Sequence, residues 1–229
     1  FHVLLPIIVS LNLGIDNLLS EITKGMEEDI TPANDNLKFC IIGRPNVGKS
    51  SLINALLGTN RSIVSDVSGT TRDAIETECR YNGEHSTVID TAGMRKKGKV
   101  YENIEKYSVI RSLKAIERSD VCCVVINAEE GIIEHDKHIV SYAINTGKAV
   151  VLVVNKWDTV TNFDTALKDW KQKIKNEFQF IPYVETIYLS AKTKKRVSML
   201  MPAINKAYEN SIKEVPTNVL NDVITEAFN

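Results

Sequence analysis

The fold of this chain is decided by Leu37-Lys38-Phe39-Cys40-Ile41-Ile42-Gly43-Arg44-Pro45-Asn46-Val47-Gly48-Lys49-Ser50. Residues 37–42 form an apolar run typical of a buried strand, and the apolar residues of 51–57 predict a helix. Between them lies a complete G-x-x-x-x-G-K-S sequence, the pattern of a phosphate-binding loop in a strand–loop–helix context. The glycines let the backbone wrap closely around phosphates, while successive N–H groups and the helix N-terminus face the anion. The sequence therefore predicts a nucleoside triphosphate site.

Two segments supply the expected phosphate and Mg²⁺ contacts. In the loop, Lys49 is expected to reach the β- and γ-phosphates, and the Ser50 hydroxyl to ligate Mg²⁺. Further along, residues 90–93 (Asp-Thr-Ala-Gly) match a D-x-x-G element, in which Asp90 belongs to the Mg²⁺ shell and the Gly93 N–H senses the γ-phosphate. The expected phosphate-binding residues are Asn46, Val47, Gly48, Lys49, Ser50, Ser51 and Gly93.

The base is indicated by Asn155-Lys156-Trp157-Asp158, which resembles the N-K-x-D guanine-reading element of GTP-binding proteins. Guanine presents two donors that one carboxylate accepts together, whereas adenine would leave the Asp158 charge unpaired. Residues 190–192 (Ser-Ala-Lys) resemble a further guanine-binding element, in which a backbone N–H near Ala191 would meet guanine O6. The expected guanine-binding residues are Asn155, Lys156, Asp158, Ser190, Ala191 and Lys192.

A Gly-, Ser- and Thr-containing segment at residues 67–73 predicts a loop between these elements. Its Thr-Thr-Arg-Asp sequence resembles switch I of the translation-associated GTPases, and the resemblance favours Thr71 over Thr70 as the Mg²⁺ ligand. Loss of the γ-phosphate would release such a loop at little cost, which is how a switch operates. The expected Mg²⁺ ligands are Ser50, Thr71 and Asp90, and the expected catalytic and switch residues are Asn46, Lys49, Thr70, Thr71 and Gly93.

Composition limits the classes of function. The chain has 229 residues, 43% of them hydrophobic, and no apolar run approaches the ~20 residues that a membrane span needs. A formal net charge of −1 argues against a generic polyanion binder. No secretory signal is expected at residues 1–10, and the four cysteines are expected to be buried and reduced in a cytoplasmic protein.

Apolar runs alternate with helical patterns from residue 37 to about residue 208. This alternation predicts an α/β fold, a P-loop three-layer domain with a mostly parallel six-stranded sheet and helices on both faces. Residues 74–80 are shorter and more polar than the other runs, and we expect them to form an edge strand that continues into a hairpin. The predicted organisation is 1–25 as the last strand and helix of an upstream GTPase domain, 26–36 as a linker, 37–212 as the GTPase domain and 213–229 as the entry to a further domain.

The motifs at 43–50 and 69–73 resemble the Era-like translation GTPases. Residues 90–100 and 105–120 narrow the resemblance to the second GTPase domain of Der (EngA), a bacterial double-GTPase family of large-subunit ribosome assembly. Residues 216–224 resemble the entry to that family's C-terminal KH-like domain. The resemblance implies GTP or GDP with Mg²⁺, and as partners the large ribosomal subunit with its rRNA, the chain's own upstream GTPase domain and a KH-like domain.

Met94 follows the D-x-x-G element where many GTPases place a water-orienting Gln. A thioether cannot serve in that way, so slow turnover driven by charge stabilisation is expected. In related GTPases with this loop an Asn at this position ligates K⁺, and the resemblance implies that Asn46 does so here, with switch I backbone carbonyls near Ser65 and Val67 completing the site. The alternative for Asn46 is that it only stabilises the turn of the loop.

Two basic clusters, at residues 95–99 and 192–196, are consistent with rRNA phosphate contacts or with solvated loop charge. Two other functions stay open at the level of sequence. One is a nucleotide-binding regulatory module with negligible turnover, which Met94 favours. The other is a tRNA-modification-type GTPase, although that family's Cys-rich tail is not found here.

Overall fold

The computed structural model describes residues 36–58, 63–65, 77–81, 84–89 and 104–228, with only the backbone described at 63–65, 84, 104–110 and 228. The strands are β1 (Leu37–Ile42), β2 (Ile63–Ser65), β3 (Thr77–Tyr81), β4 (Glu84–Ile89), β5 (Val121–Asn127), β6 (Ala149–Asn155) and β7 (Glu185–Tyr188). The helices in these ranges are α1 (Lys49–Leu57), α2 (Ile104–Glu117), α3 (Glu134–Asn145), α4 (Phe163–Glu177), α5 (Leu200–Ser211) and α6 (Thr217–Phe228). Short 3₁₀ turns lie at Trp157–Thr159 and Val197–Met199.

The strands form one sheet in the order β2-β3-β4-β1-β5-β6-β7. The five strands from β4 to β7 in this order are parallel, whereas β3 is antiparallel to both β2 and β4. The predicted α/β class and mostly parallel sheet are confirmed. The sheet has seven strands among the described residues rather than six, because the three-residue β2 is too short to show a hydrophobic period.

The hairpin between β3 and β4 is confirmed, since Tyr81 pairs with Glu84 across its end. The prediction that β3 is an edge strand is wrong. Strand β2 pairs with β3 from Ile63↔Arg80 to Ser65↔Glu78 and takes the edge position. The polar residues that suggested an edge follow the strand period instead: Thr77, Cys79 and Tyr81 are buried, whereas Arg80 is exposed.

Helices cover both faces of the sheet, as predicted. Alternate residues of each central strand belong to opposite hydrophobic layers, so that Val151 and Val153 of β6 face one way and Leu152 and Val154 the other. Helices α1 and α5 pack in the first layer, and the carboxyl-terminal part of α2 packs with α3 and α4 in the second. Every residue of β5 is buried, which explains why its sequence shows no polar alternation.

The predicted helix near the carboxyl end is present as α6, and its apolar residues are exposed: Val219, Leu220, Val223 and Ile224. The predicted tail at 1–25 and all but the last residue of the predicted linker at 26–36 lie outside the described residues. No helix in the described part of the chain combines the length and apolarity of a membrane span.

Candidate nucleotide-binding site

The loop between β1 and α1 requires glycine at both invariant positions of its pattern. Gly43 has a φ of +146°, and a Cβ there would lie 2.4 Å from the carbonyl oxygen of Val125 on the adjacent strand β5. Gly48 has a φ of +97°, and a Cβ there would lie 2.3 Å from Nδ2 of Asn155. The backbone of the loop therefore passes so close to β5 and β6 that no other residue fits.

Lys49, the first residue of α1, folds back over the loop. Its Nζ donates hydrogen bonds to the carbonyl oxygens of Gly43, at 2.7 Å, and Arg44, at 2.6 Å. Burial lowers the pKa of Lys49, because the ammonium has lost part of its hydration. Two carbonyl dipoles offset only part of that cost, so an anion held in the loop would stabilise the charged lysine.

Arg44 ties the loop to the segment that follows β5. Its Nε donates to Oδ1 of Asp136 at 3.0 Å, one terminal nitrogen donates to Glu130 at 2.7 Å, and the other donates to the Gly131 carbonyl at 3.1 Å. Asp136 is fully buried, and its second oxygen accepts the N–H of Ile133 at the start of α3. This role of Arg44 was not predicted, although an Arg next to the first loop glycine is a signal for a carboxylate partner elsewhere in the chain.

Asn155 joins three segments of the site. It is 2% exposed and ends β6; its Nδ2 donates to the Val47 carbonyl at 2.8 Å, and its Oδ1 accepts the Ala191 N–H at 3.0 Å. The side chain is thus used within the protein to hold the phosphate loop and the 190–192 segment together. The expected donor to guanine O6 is an N–H near Ala191, and the Ala191 N–H itself donates to Asn155 in this structure.

Asp158 lies in a short turn whose position is set by aromatic packing. Trp157 is buried, donates its backbone N–H to the Leu189 carbonyl at 3.1 Å and packs against Tyr188 with ring centroids 4.7 Å apart. Lys156 has a left-handed backbone with φ of 61°, which reverses the chain after β6. The Asp158 carboxylate is left exposed, and no described residue forms an ion pair with it.

The structure places the phosphate-loop and guanine-binding candidates among the described residues at the carboxyl ends of β1, β6 and β7. Residues 46–51 and 155–158 are joined through Asn155, and Ser190 closes its own turn by accepting the Thr193 N–H at 3.1 Å. Asn46 is exposed with φ of 64°. Ser65 is described only as the last backbone position of β2. The predicted roles of Val67, Thr70, Thr71, Asp90 and Gly93 lie outside the described residues.

Residues 38–156, just over half of the chain, match the sequence profile of a family described as 50S ribosome-binding GTPase. The chain belongs to this family. Among curated relatives, GTPase Der of Staphylococcus haemolyticus strain JCSC1435 and GTPase Der of Staphylococcus aureus strain N315 are each 54% identical to it over 224 residues. These 224 residues are 97% of this chain and 51% of each relative, so the chain spans about half the length of the curated relatives that it matches.

Solved structures with the same fold include Era in complex with MgGDPNP and nucleotides 1506–1542 of 16S ribosomal RNA. The Era chain is 28% identical to this one in sequence and superposes with a TM-score of 0.58. The match covers 74% of this chain and 56% of the Era chain. Elongation factor SelB of Methanococcus maripaludis, bound to a GTP analogue, gives a TM-score of 0.59 at 18% identity, covering 79% of this chain and 35% of its own. The second likeness shows the fold alone.

Proposed function

We propose that the chain is a GTP-binding and GTP-hydrolysing switch that acts in assembly of the large (50S) ribosomal subunit. The observation that carries the proposal is the double hydrogen bond of Asn155. It joins the phosphate loop, through Val47, to the two segments whose side chains and N–H groups match a guanine edge. A base and its phosphates can then be bound in one rigid frame.

In this proposal the loop binds the phosphates with backbone N–H groups at the start of α1 and with the Lys49 ammonium. Ser50 fits as a Mg²⁺ ligand, because it offers a hydroxyl oxygen beside Lys49 on the first turn of α1. Thr71 and Asp90 complete the proposed ligand set. Bound Mg²⁺ supplies charge neutralisation on the phosphates. Thr70, Thr71 and Gly93 are the proposed γ-phosphate sensors.

Guanine recognition is assigned to Asp158, with Lys156 covering the base and the segment of Ser190, Ala191 and Lys192 facing O6. We expect Asp158→Asn to weaken binding of fluorescent mant-GDP by at least ~100-fold, since an amide offers only one acceptor to two donors. Xanthine carries an oxygen in place of the 2-amino group, so the same variant is expected to gain affinity for xanthosine diphosphate. Unchanged mant-GDP affinity in Asp158→Asn would contradict the assignment.

The ribosomal part of the proposal is supported by family membership and by the names of the relatives. The Era structure contains a fragment of ribosomal RNA, which supports rRNA as the partner class here. The proposed further partners are an upstream GTPase domain and a KH-like domain. The exposed stripe of α6 is consistent with the latter, because an isolated apolar helix face requires a partner to be buried. A ribosomal partner places the action of the chain in the cytoplasm.

For hydrolysis we propose that K⁺ bound by Asn46, with carbonyls near Ser65 and Val67, stabilises the developing charge. The left-handed backbone of Asn46 also suits a purely structural role, because Asn tolerates this conformation better than most residues. Two variants separate these roles. Asn46→Ala removes the side chain and strains the turn, whereas Asn46→Gly removes the side chain but suits the turn.

The experiment compares GTP turnover in KCl and NaCl at equal ionic strength. We expect faster turnover in KCl for the wild type and loss of the difference in both variants. A full K⁺ response in Asn46→Gly would overturn the K⁺ site. If single-turnover assays show no hydrolysis in either salt, the chain is a nucleotide-binding module rather than a hydrolase.

A further inference from the structure

A buried asparagine fixes the turn that follows β5. Asn127 is fully buried at the end of that strand. Its Oδ1 accepts the N–H of Glu129 at 3.0 Å, and its Nδ2 donates to Oε1 of Glu130 at 2.6 Å. The backbone N–H of Gly131 donates to the Asn127 carbonyl at 3.0 Å. These hydrogen bonds set the conformation of residues 127–131, which we call the β5 turn.

The Glu130 carboxylate connects the β5 turn to the phosphate loop. Its Oε1 accepts the hydrogen bond from Asn127, and its Oε2 accepts one from a terminal nitrogen of Arg44 at 2.7 Å. Because each oxygen has its own donor, the carboxylate is fixed in direction as well as in position. The backbone carbonyl of Arg44 in turn accepts a hydrogen bond from the Lys49 ammonium at 2.6 Å. A continuous series of contacts thus leads from the end of β5 to the lysine that is expected to bind phosphates.

The β5 turn is also connected to the other end of the phosphate loop. Asn127 and Asn155 are partners in the register of β5 and β6, and the N–H of Ala128 donates to the Asn155 carbonyl at 2.9 Å. The side chain of Asn155 holds the Val47 carbonyl. Both ends of the loop stretch 44–47 are therefore tied to the same pair of strand ends.

Exposure distinguishes Glu130 from the other carboxylate that binds Arg44. The side chain of Asp136 is completely buried, so the fold depends on its pairing. The side chain of Glu130 is 47% exposed, and an ion pair so open to water contributes little to stability. A carboxylate that adds little to the fold, yet is held through both of its oxygens, suits a role in orienting the loop toward a ligand.

We propose that Glu130 and Asn127 position the phosphate loop through Arg44 and thereby slow the release of guanine nucleotide. Neither residue is among the phosphate- or guanine-binding residues predicted from the sequence. A loop already held in its binding conformation loses less conformational entropy when phosphates bind, so the nucleotide stays bound longer. The inference rests on the proposed function and adds to it two residues that act on the nucleotide through a third.

The test measures the dissociation of mant-GDP from the 229-residue chain after addition of excess unlabelled GDP. Glu130→Gln is expected to release mant-GDP about five-fold faster, because an uncharged amide holds Arg44 less firmly than a carboxylate does. Charge alone predicts the opposite, since removal of a negative charge beside an anion site favours the bound nucleotide. Slower or unchanged release in Glu130→Gln would overturn the proposal.

Glu129→Gln is the matched control. It removes the same charge from the neighbouring exposed position and keeps the backbone N–H that Glu129 contributes to the β5 turn. Its release rate is expected to match that of the wild type, and release as fast as in Glu130→Gln would overturn the proposal. Urea unfolding is expected to be the same for the wild type and both variants. A loss of stability in Glu130→Gln that parallels its faster release would show a merely structural role and refute positioning.

A double variant tests whether Glu130 acts through Arg44. Lysine at position 44 keeps a positive charge opposite Asp136 but lacks the planar set of donors that also reaches Glu130. Glu130→Gln is therefore expected to have no added effect on release when it is combined with Arg44→Lys. The full effect of Glu130→Gln in that background would overturn the proposed route.

An exchange of side-chain types tests Asn127. Asn127→Asp is expected to speed release, because two carboxylates then face each other in place of a donor and an acceptor. Combining it with Glu130→Gln is expected to slow release again, since an amide at position 130 can donate to a carboxylate at position 127. Release from the double variant as fast as from Asn127→Asp would overturn the assignment of Asn127.

The result for the wild type separates this inference from the proposed function. Failure of the wild type to bind mant-GDP would refute the proposed function together with the inference. Binding by the wild type, with unchanged release in the Glu130 and Asn127 variants, would refute the inference alone.

Discussion

At the scale of single residues, the site depends on a few atoms for which the fold offers no substitute. The clearest example is the side chain of Asn155, which donates a hydrogen bond to the Val47 carbonyl and accepts one from the Ala191 N–H. Water cannot take the place of this buried amide, because the Val47 carbonyl and the Ala191 N–H that it binds belong to buried residues.

Replacement of Asn155 by Ala is expected to lower the unfolding free energy by ~1–3 kcal/mol, since two buried backbone groups lose their partner. Affinity for mant-GDP is expected to fall about ten-fold, because the phosphate loop is no longer held to the base-reading segments. Urea unfolding and fluorescence titration measure the two effects. Asn176→Ala is the control, since that amide accepts a hydrogen bond from Gln172 on the exposed side of α4. Equal results for both variants would refute the role of Asn155.

Gly43→Ala is expected to lower the unfolding free energy by ~3 kcal/mol for two reasons. The new methyl group would clash with the Val125 carbonyl oxygen, and the φ of Gly43 lies in a region that residues with a side chain rarely adopt. Gly147→Ala provides the comparison, with φ of +73° and no atom within 4 Å of the added Cβ. It isolates the backbone strain, at ~1 kcal/mol. Similar losses in the two variants would show that close approach to β5 is unimportant.

At the scale of elements, the phosphate loop is held from outside as well as from β1 and α1. Arg44 follows β1, and its guanidinium contacts both the segment after β5 and the first turn of α3. One side chain therefore connects the phosphate loop to two other parts of the fold. The geometry requires the three separate donors of arginine, which a lysine ammonium on its flexible stem does not present in the same plane.

Asp136→Ala is expected to lower the unfolding free energy by ~2–3 kcal/mol and to weaken mant-GDP binding, because Arg44 loses its buried partner and α3 loses the acceptor for the Ile133 N–H. Denaturant unfolding and nucleotide titration check both effects. The matched control is Glu134→Ala on the same turn, where the carboxylate is exposed and pairs with Lys137. Losses in Glu134→Ala comparable to those in Asp136→Ala would contradict the argument.

At the scale of the whole molecule, the core carries four ionisable thiols, and burial favours the neutral form of Cys79, Cys122 and Cys123, whereas a hydrogen bond with Cys122 lowers the pKa of Cys40. The four cysteines are buried and free, as predicted. Burial raises the pKa of Cys79 from 9.0 to about 11, and it raises the pKa of Cys123 well above 9.0. In the unfolded chain these two thiols lose their protons at lower pH than in the folded protein. Their contribution to the unfolding free energy is therefore fully present below pH 9 and is lost as the pH rises toward the pKa values of the folded state.

The unfolding free energy is therefore expected to fall between pH 9 and pH 11, by ~2 kcal/mol for Cys79 alone. Urea unfolding in reducing buffer across this range measures it. Cys79→Ala is expected to show a smaller fall, whatever its stability at neutral pH. Lys49 changes in the opposite sense, because its pKa is lowered, so the comparison of wild type with variant isolates the thiol. Parallel pH curves for the two proteins would refute the prediction.

The sequence by itself determined the phosphate loop, the α/β class, the parallel core strands and the hairpin. These features are encoded by residues adjacent in the chain: a loop pattern between a strand and a helix, and apolar runs whose period follows from local backbone geometry. The burial of Cys40, Cys122 and Cys123 was also predictable, because these three lie within such runs.

Only the tertiary structure decided which distant residues meet. Asn155 and Val47 are 108 residues apart in the chain, and Arg44 and Asp136 are 92 apart, so their hydrogen bonds depend on strand order and register. The same holds for β2, which has three residues and is defined by its pairing with β3. The Tyr188 hydroxyl is likewise buried, with no hydrogen-bond partner among the described residues, only because packing encloses it. Burial is a property of the assembled core and not of a local pattern.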